Sequence, residues 1–169
     1  MVDVQDHVIG HAEKMLAHQN ELLHRAFSVM LYRKVSGELQ FLLQKRAEHK
    51  YHCAGLWANT CCSHPRPHEK TKDSAERRLK EELGITVPLS NIGYFIYKVR
   101  FDNGLSEHEF DHVFIGEYLT TPTSFNTDEI NALVWMNSKS LTQALISTPK
   151  KFTPWLSQVM FCCLKYLAA

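Results

Sequence analysis

Asp73-Ser74-Ala75-Glu76-Arg77-Arg78-Leu79-Lys80-Glu81-Glu82-Leu83-Gly84-Ile85 is the stretch on which the reading of the fold turns. Asp73 reads as a helix N-cap, with Glu76 three residues on to complete a capping box. The helix then runs through Ala75 to Leu83, and Gly84 stands at the C′ position, where a left-handed residue closes a helix. Arg78 and Glu82 are four apart and share a face. The ordinary reading of such a run is a solvated face with an exposed ion pair. On that reading, losing Arg78 costs the fold little.

Upstream lies Trp57-Ala58-Asn59-Thr60-Cys61-Cys62-Ser63-His64-Pro65. Cys62 precedes His64 by two residues, and proline ends the local backbone regularity. A thiol can serve as a nucleophile or an acid/base when its surroundings support it. A histidine at this spacing is either a metal ligand or that support. A buried cysteine pair beside a structural histidine is the other reading, and the stretch alone leaves both open. Further back, Ala26–Tyr32 and Leu39–Gln44 read as strands joined at Ser36-Gly37, a hairpin closed by Lys45 and Arg46, with Lys50 in the loop beyond. His11–Leu23 reads as a helix that puts Lys14 and His18 on one face, and His24 stands at the entry to the first strand.

Downstream, Ile92–Phe101 reads as a strand, and Asp102-Asn103-Gly104 is a hairpin signal. The return strand Glu107–Phe114 alternates, with Glu107, Glu109 and Asp111 on one face and Phe110 and Phe114 on the other. Carboxylates stacked on one strand face repel unless water or a cation intervenes, so this is either an exposed sheet face or half of a metal site. Thr120–Asn126 is a polar loop, Ala132–Met136 a short buried strand and Ser138–Ile146 a helix. Pro149–Pro154 is a connector. Trp155–Leu167 is an amphipathic closing helix in which Cys162 and Cys163 pack into the core.

With 169 residues, 44% of them hydrophobic, the chain fits one domain spanning 1–169. A net charge of +1 argues against nucleic acid as a partner. No apolar run approaches the roughly 20 residues that span a bilayer, so no membrane partner is expected. Neither end carries a targeting or lipidation signal. Five cysteines with two adjacent pairs make a poor disulfide framework, which places the chain in a reducing compartment, the cytoplasm.

Three separated pieces match one pattern. Arg77–Ile85 resembles the second half of a Nudix box, and Glu69 falls at its first glutamate. Ser63 stands where the box has glycine, and Arg78 stands where Nudix hydrolases keep a metal-binding glutamate. With Asn59–Pro65 and Glu107-x-Glu109 added, the chain from Lys14 to Trp155 is similar to the type 1 isopentenyl-diphosphate isomerases, which interconvert isopentenyl and dimethylallyl diphosphate. The resemblance implies an α+β fold, a Nudix-type mixed β-sheet sandwich flanked by helices. It implies Cys62 and Glu109 as catalytic residues, with Tyr97 beside Glu109. It implies a divalent metal (Zn²⁺, Mn²⁺ or Mg²⁺) on His18, His24, His64, Glu107 and Glu109, with His11 the alternative to His18. It places a second cation, Mg²⁺ carried by the substrate, at Glu82. Lys14, Arg46, Lys50 and Arg78 would surround the diphosphate, and Trp155 would face the reacting carbons. The partner expected is a small-molecule diphosphate, and the chain is expected as a monomer or weak dimer.

Two rivals stand beside this. A Nudix pyrophosphohydrolase needs several glutamates along the box helix, and Arg78 removes one. A zinc-stabilised binding module on Cys61, Cys62 and His64 needs better chelate spacing than adjacent cysteines supply.

Overall fold

The computed structural model describes Met1–Ala169. The order of elements is α1 (Lys14–Gln19), β1 (His24–Val35), β2 (Glu38–Arg46), β3 (Trp57–Ala58), β4 (Cys61–Ser63), α2 (Thr71–Leu83), β5 (Ser90–Arg100), β6 (Ser106–Glu117), β7 (Ile130–Asn137), α3 (Ser138–Ser147), a 3₁₀ turn (Pro149–Lys151) and α4 (Leu156–Leu167). The strands form one seven-stranded sheet in the order β3-β2-β1-β6-β5, with β4 also paired to β1 and β7 to β2. Only β1 and β6 run parallel; every other pair is antiparallel. The sheet is therefore mixed, as expected.

The hairpin between β1 and β2 closes on two residues, Ser36 and Gly37, both with positive φ. That conformation matches the right-handed twist of the flanking strands. Along β1 the side chains alternate. Phe27, Val29 and Leu31 join Leu79 and Leu83 of α2 in one core, while Met30 packs with Leu141 of α3 and with Leu156, Val159 and Met160 of α4 in the other. The sheet thus carries helices on both faces. Cys61 is fully buried in the first core, whereas Cys62 packs against the second.

Several expectations need correction. The first helix is only six residues long, because Glu21 adopts a left-handed φ of 55° and ends any continuation toward Leu23. Glu21 is held there by Lys98 and Arg100 of β5. Helix α2 starts at Thr71, with Lys70 as a cap that makes no side-chain bond, so Asp73 lies inside the first turn and forms no capping box. There its charge still favours the helix N-terminus. Residues 132–136 of β7 are half-buried rather than buried, because β7 pairs with β2 alone. Cys163 is buried and Cys162 only half so.

Candidate active site

Register brings the distant pieces together. On β6, Glu109 lies opposite His24 of β1 on one side and Tyr97 of β5 on the other. On the far side of β1, Ser28 lies opposite Cys62 of β4. The acidic face of β6 is buried along its length: Glu107, Glu109 and Asp111 are each under one-tenth exposed. It is therefore not a solvated sheet face, and its charges must be met from within.

They are met by imidazoles. His64 Nε2 lies 2.8 Å from Glu109 Oε1 and 3.2 Å from His24 Nε2. His24 Nδ1 donates to the Leu22 carbonyl at 2.7 Å, and His18 Nδ1 to the Ser106 carbonyl at 2.9 Å. With their Nδ1 protons so engaged, both rings present an unprotonated Nε2 when neutral. His18 Nε2 and Glu107 Oε2 are buried without a hydrogen-bond partner. One ligand atom from each of His18, His24, His64 and Glu107 lies within 4.8 Å of the others. Converging lone pairs and an orphaned carboxylate oxygen are costly in a protein interior unless a cation takes them. The donor set fits a divalent ion of borderline hardness. Of the two alternatives for the first ligand, His18 lies in the cluster, whereas His11 is exposed beside His68.

Tyr97 donates from its hydroxyl to Glu109 Oε2 at 2.6 Å. Burial alone would raise the Glu109 carboxyl, but the His24 and His64 imidazoles beside it outweigh that and hold the group well below the usual carboxylate range. Burial and the neighbouring carboxylates push the Tyr97 hydroxyl well up, so it remains a donor.

The thiol has its own holder. Cys62 Sγ donates to Asn59 Oδ1 at 3.0 Å, and Trp155 Nε1 donates to the same oxygen at 3.1 Å. Asn59 is fully buried, and its amide nitrogen donates to the carbonyls of Val29 and Cys61. The amide orientation is thereby fixed with the oxygen inward, gripping the thiol and the indole together. Ser28 Oγ sits 3.8 Å from Cys62 Sγ and donates to Asp111 Oδ2 at 2.8 Å. Burial, with Asp111 nearby, pushes the Cys62 thiol up to about 12, so it rests protonated.

Cys62, His64, Tyr97, Glu107, Glu109 and Trp155 line one cleft of about 60 Å³ together with Lys14, Arg46, Lys50 and Arg78. A groove of about 800 Å³ between the N-terminal segment and residues 63–71 adjoins it, and the two share Lys14, Ser63 and His64. The basic residues are not equivalent. Arg46 donates to the His52 carbonyl and lies 5.7 Å from the centre of the Trp155 ring. Lys50 pairs with Glu129. Arg78 is engaged on three sides, with Glu82 at 2.6 Å, Glu129 at 2.9 Å and Glu81 at 3.0 Å. Its side chain is about one-fifth exposed and that of Glu82 only 3%, so the helix face is not solvated as the ordinary reading had it. Glu82 does not line the cleft; its partner Arg78 does.

Sequence reasoning singled out neither Asn59 nor Ser28, nor Glu129, Tyr51 or His52. Asn59 was visible only as part of a motif. The others sit on a strand or in loops with no pattern to mark them, and only the pairing of distant segments reveals them.

A NUDIX domain model matches residues 22–156. The chain belongs to the Nudix family. Its similarity to curated relatives extends over nearly its whole length. It is 44% identical to "Isopentenyl-diphosphate Delta-isomerase 2" of Aromatoleum aromaticum over 93% of this chain and 81% of the relative. It is likewise 44% identical to "Isopentenyl-diphosphate Delta-isomerase" of Photobacterium profundum over 95% of this chain and 90% of that one. The resemblance read from the motifs is thus borne out. Among solved Nudix-like structures, a Deinococcus radiodurans protein superposes with a TM-score of 0.76 at 18% identity, covering 96% of both chains. A MutT protein of Methanosarcina mazei superposes at 0.66 with 20% identity, covering 87% of this chain and 96% of that one. At such identities the likeness speaks for the Nudix fold alone. Within that fold, Arg78 stands in the box helix bonded to Glu81 and Glu82, one turn further on.

Proposed function

We propose that this chain interconverts isopentenyl and dimethylallyl diphosphate by protonating and deprotonating carbon, with Cys62 and Glu109 as the proton-carrying pair. The observation that carries the reading is one cleft in which a held thiol, a carboxylate bonded to a tyrosine, an indole and several basic side chains meet. The names of the relatives support the same activity. The reaction moves a double bond by one position. Toward dimethylallyl diphosphate, Glu109, assisted by Tyr97, gives a proton to the terminal alkene carbon and leaves a tertiary carbocation. The Cys62 thiolate then takes a proton from the allylic carbon, and the new double bond forms from that C–H pair. In reverse the two exchange roles. The surroundings push the Cys62 thiol up and the Glu109 carboxyl down, and a thiol beside a carboxylate is the pair that starts the reverse direction.

Trp155 shields the cation and stabilises it by roughly 0.5–2 kcal/mol. That is small beside a barrier reduction of at least about 8 kcal/mol. Alignment by the Asn59 amide and exclusion of water must supply most of the rest. Lys14, Arg46, Lys50 and Arg78 anchor the diphosphate, the arginines able to do so bidentately. A divalent cation on His18, His24, His64, Glu107 and Glu109, whether Zn²⁺, Mn²⁺ or Mg²⁺, would supply positive charge that makes protonated Glu109 a stronger acid. Mg²⁺ brought by the diphosphate would reach Glu82 only once Arg78 turns from it toward the diphosphate. Five free thiols suit the reducing cytoplasm.

Turnover of isopentenyl diphosphate in D₂O tests this. Deuterium is expected in the product methyl group, because S–H and COOH protons exchange with solvent between turnovers. Glu109→Gln keeps the shape but cannot donate a proton at matched pKa, so it is expected to bind substrate and lose isomerisation. Phosphate release at the rate of turnover, with no deuterium on carbon, would instead restore a Nudix hydrolase.

A further inference from the structure

His52 lies in the irregular segment between β2 and β3, 7% exposed, and the catalytic scheme above gives it no part. Its ring is fixed by two neighbours. It stacks on Phe101 with centroids 5.0 Å apart and planes 6° from parallel, and Tyr51 meets it edge-on at 4.5 Å. So placed, Nε2 lies 2.5 Å from Glu107 Oε1. A carboxylate oxygen only accepts, so Nε2 carries the hydrogen and donates it. His52 stands outside the group of converging ligand atoms, whereas His64 Nε2 faces both Glu109 and the His24 ring, where an ion would take the place of its proton.

The other oxygen of the same carboxylate is treated differently. Glu107 Oε2 is buried with no hydrogen-bond partner, 3.3 Å from His18 Nδ1, whose own proton goes to the Ser106 carbonyl. One oxygen of Glu107 is therefore committed to His52, and the other is left beside His18, in the residue that gathers with His18, His24 and His64. An untethered glutamate can rotate and offer a cation either oxygen or both; this one is held to a single choice.

We propose that His52 is a positioning residue that ties down Glu107 Oε1, so that Glu107 offers the metal only Oε2 and the site is preorganised before the ion arrives. This rests on the reading of His18, His24, His64 and Glu107 as a metal site. A partner of this kind typically contributes 10–100-fold in metal affinity. It also lets Glu107 meet its ion without reorganising.

The test is Zn²⁺ affinity of the full chain, measured by competition with a chelating dye, alongside melting temperature. His52→Phe keeps the stack on Phe101 and removes the donor; it should weaken Zn²⁺ binding 10–100-fold. His52→Gln places an amide N–H near the position of Nε2 and should bind within a few-fold of wild type. His52→Asn, one methylene shorter, cannot reach Glu107 and should behave as the Phe variant, which keeps the test open if Phe fails to fold. Wild-type affinity in both the Phe and Asn variants would overturn the proposal. So would equal losses in Gln, Asn and Phe, since that pattern would make the imidazole itself a ligand. His64→Ala serves as the control on the site: if it binds Zn²⁺ as tightly as wild type, the metal-site reading falls and this inference with it, whereas a loss there beside an unaffected His52→Phe sinks this inference alone.

Discussion

Replacing Arg78 by alanine should destabilise the protein, not merely weaken its grip on substrate. The guanidinium contacts three carboxylates, and one of them, Glu82, is almost fully buried. Burial pushes the Glu82 carboxyl up and Arg78 opposes that rise; Glu129 adds a like charge that Lys50 only partly answers. Removing one partner of a buried pair costs about 3–5 kcal/mol, because the other charge is left without compensation. Arg78 is one-fifth exposed, so water recovers part of this and a loss of about 2–4 kcal/mol is expected at pH 7. For a chain of this size each kcal/mol shifts the melting temperature by roughly 2–4 °C, giving a fall of about 4–16 °C. The pH dependence has a definite sign. Without Arg78 the folded-state pKa of Glu82 rises further above its unfolded value. The penalty is then fully present above that folded value and is relieved as pH falls toward the unfolded one. Thermal denaturation of wild type and Arg78→Ala at pH 7 and pH 5 measures both effects, and the gap should narrow at pH 5. Arg78→Ala/Glu82→Gln should recover part of the loss, because no buried charge is left to strand. A melting temperature within about 2 °C of wild type at pH 7 would refute the argument and return Arg78 to a solvated helix face.

Other outcomes follow from the same geometry. Cys62→Ala should abolish turnover, whereas Cys61→Ala should keep most of it and lose about 1–2 kcal/mol of stability, since the two thiols face opposite cores; equal activity losses in a steady-state assay would sink the assignment. Glu69 is held at about 2, against 4.5 for a free glutamate, chiefly by its hydrogen bonds from Arg77. Its contribution is present above about pH 4.5 and is lost as pH falls toward 2. Denaturant midpoints of Glu69→Gln should therefore depend less steeply on pH across that interval; an unchanged slope would show that the pair contributes nothing.

What the sequence made legible was what depends on local periodicity. Alternation along Glu107–Phe114 separated acids from aromatics, and both the turn residues at Ser36-Gly37 and the glycine after α2 carried their conformations. Expectations failed where a distant group intervened. The first helix stops early at Glu21, which β5 holds through Lys98 and Arg100. Helix α2 begins before Asp73, in a region where Arg77 reaches back to Glu69 and Ser74. Neither pairing has a periodic signature. The site was legible as a set of residues through family resemblance, but its internal support was not. His24 meets Glu109 only because β1 and β6 run parallel although the two residues stand far apart in the chain, and no local pattern specifies that pairing.

The acidic face of β6 shows why that support matters. Three carboxylates two residues apart on one buried strand face would repel if they shared one environment. They do not share one. Glu107 is bonded to His52 on one oxygen and left open toward the imidazoles on the other. Glu109 is ionised against His24 and His64 and bonded by Tyr97. Asp111 has no cation near it. Burial and the Glu109 charge push its carboxyl well up, and Ser28 bonds it on the side of Cys62. A strand that reads as a simple repeat of acids therefore carries three different groups: a tethered carboxylate, one held low with a tyrosine hydroxyl beside it, and one pushed up beneath the thiol. The difference comes from the neighbours that β1, β5 and the loop before β3 deliver, and it keeps three buried carboxylates on one strand face from opposing one another.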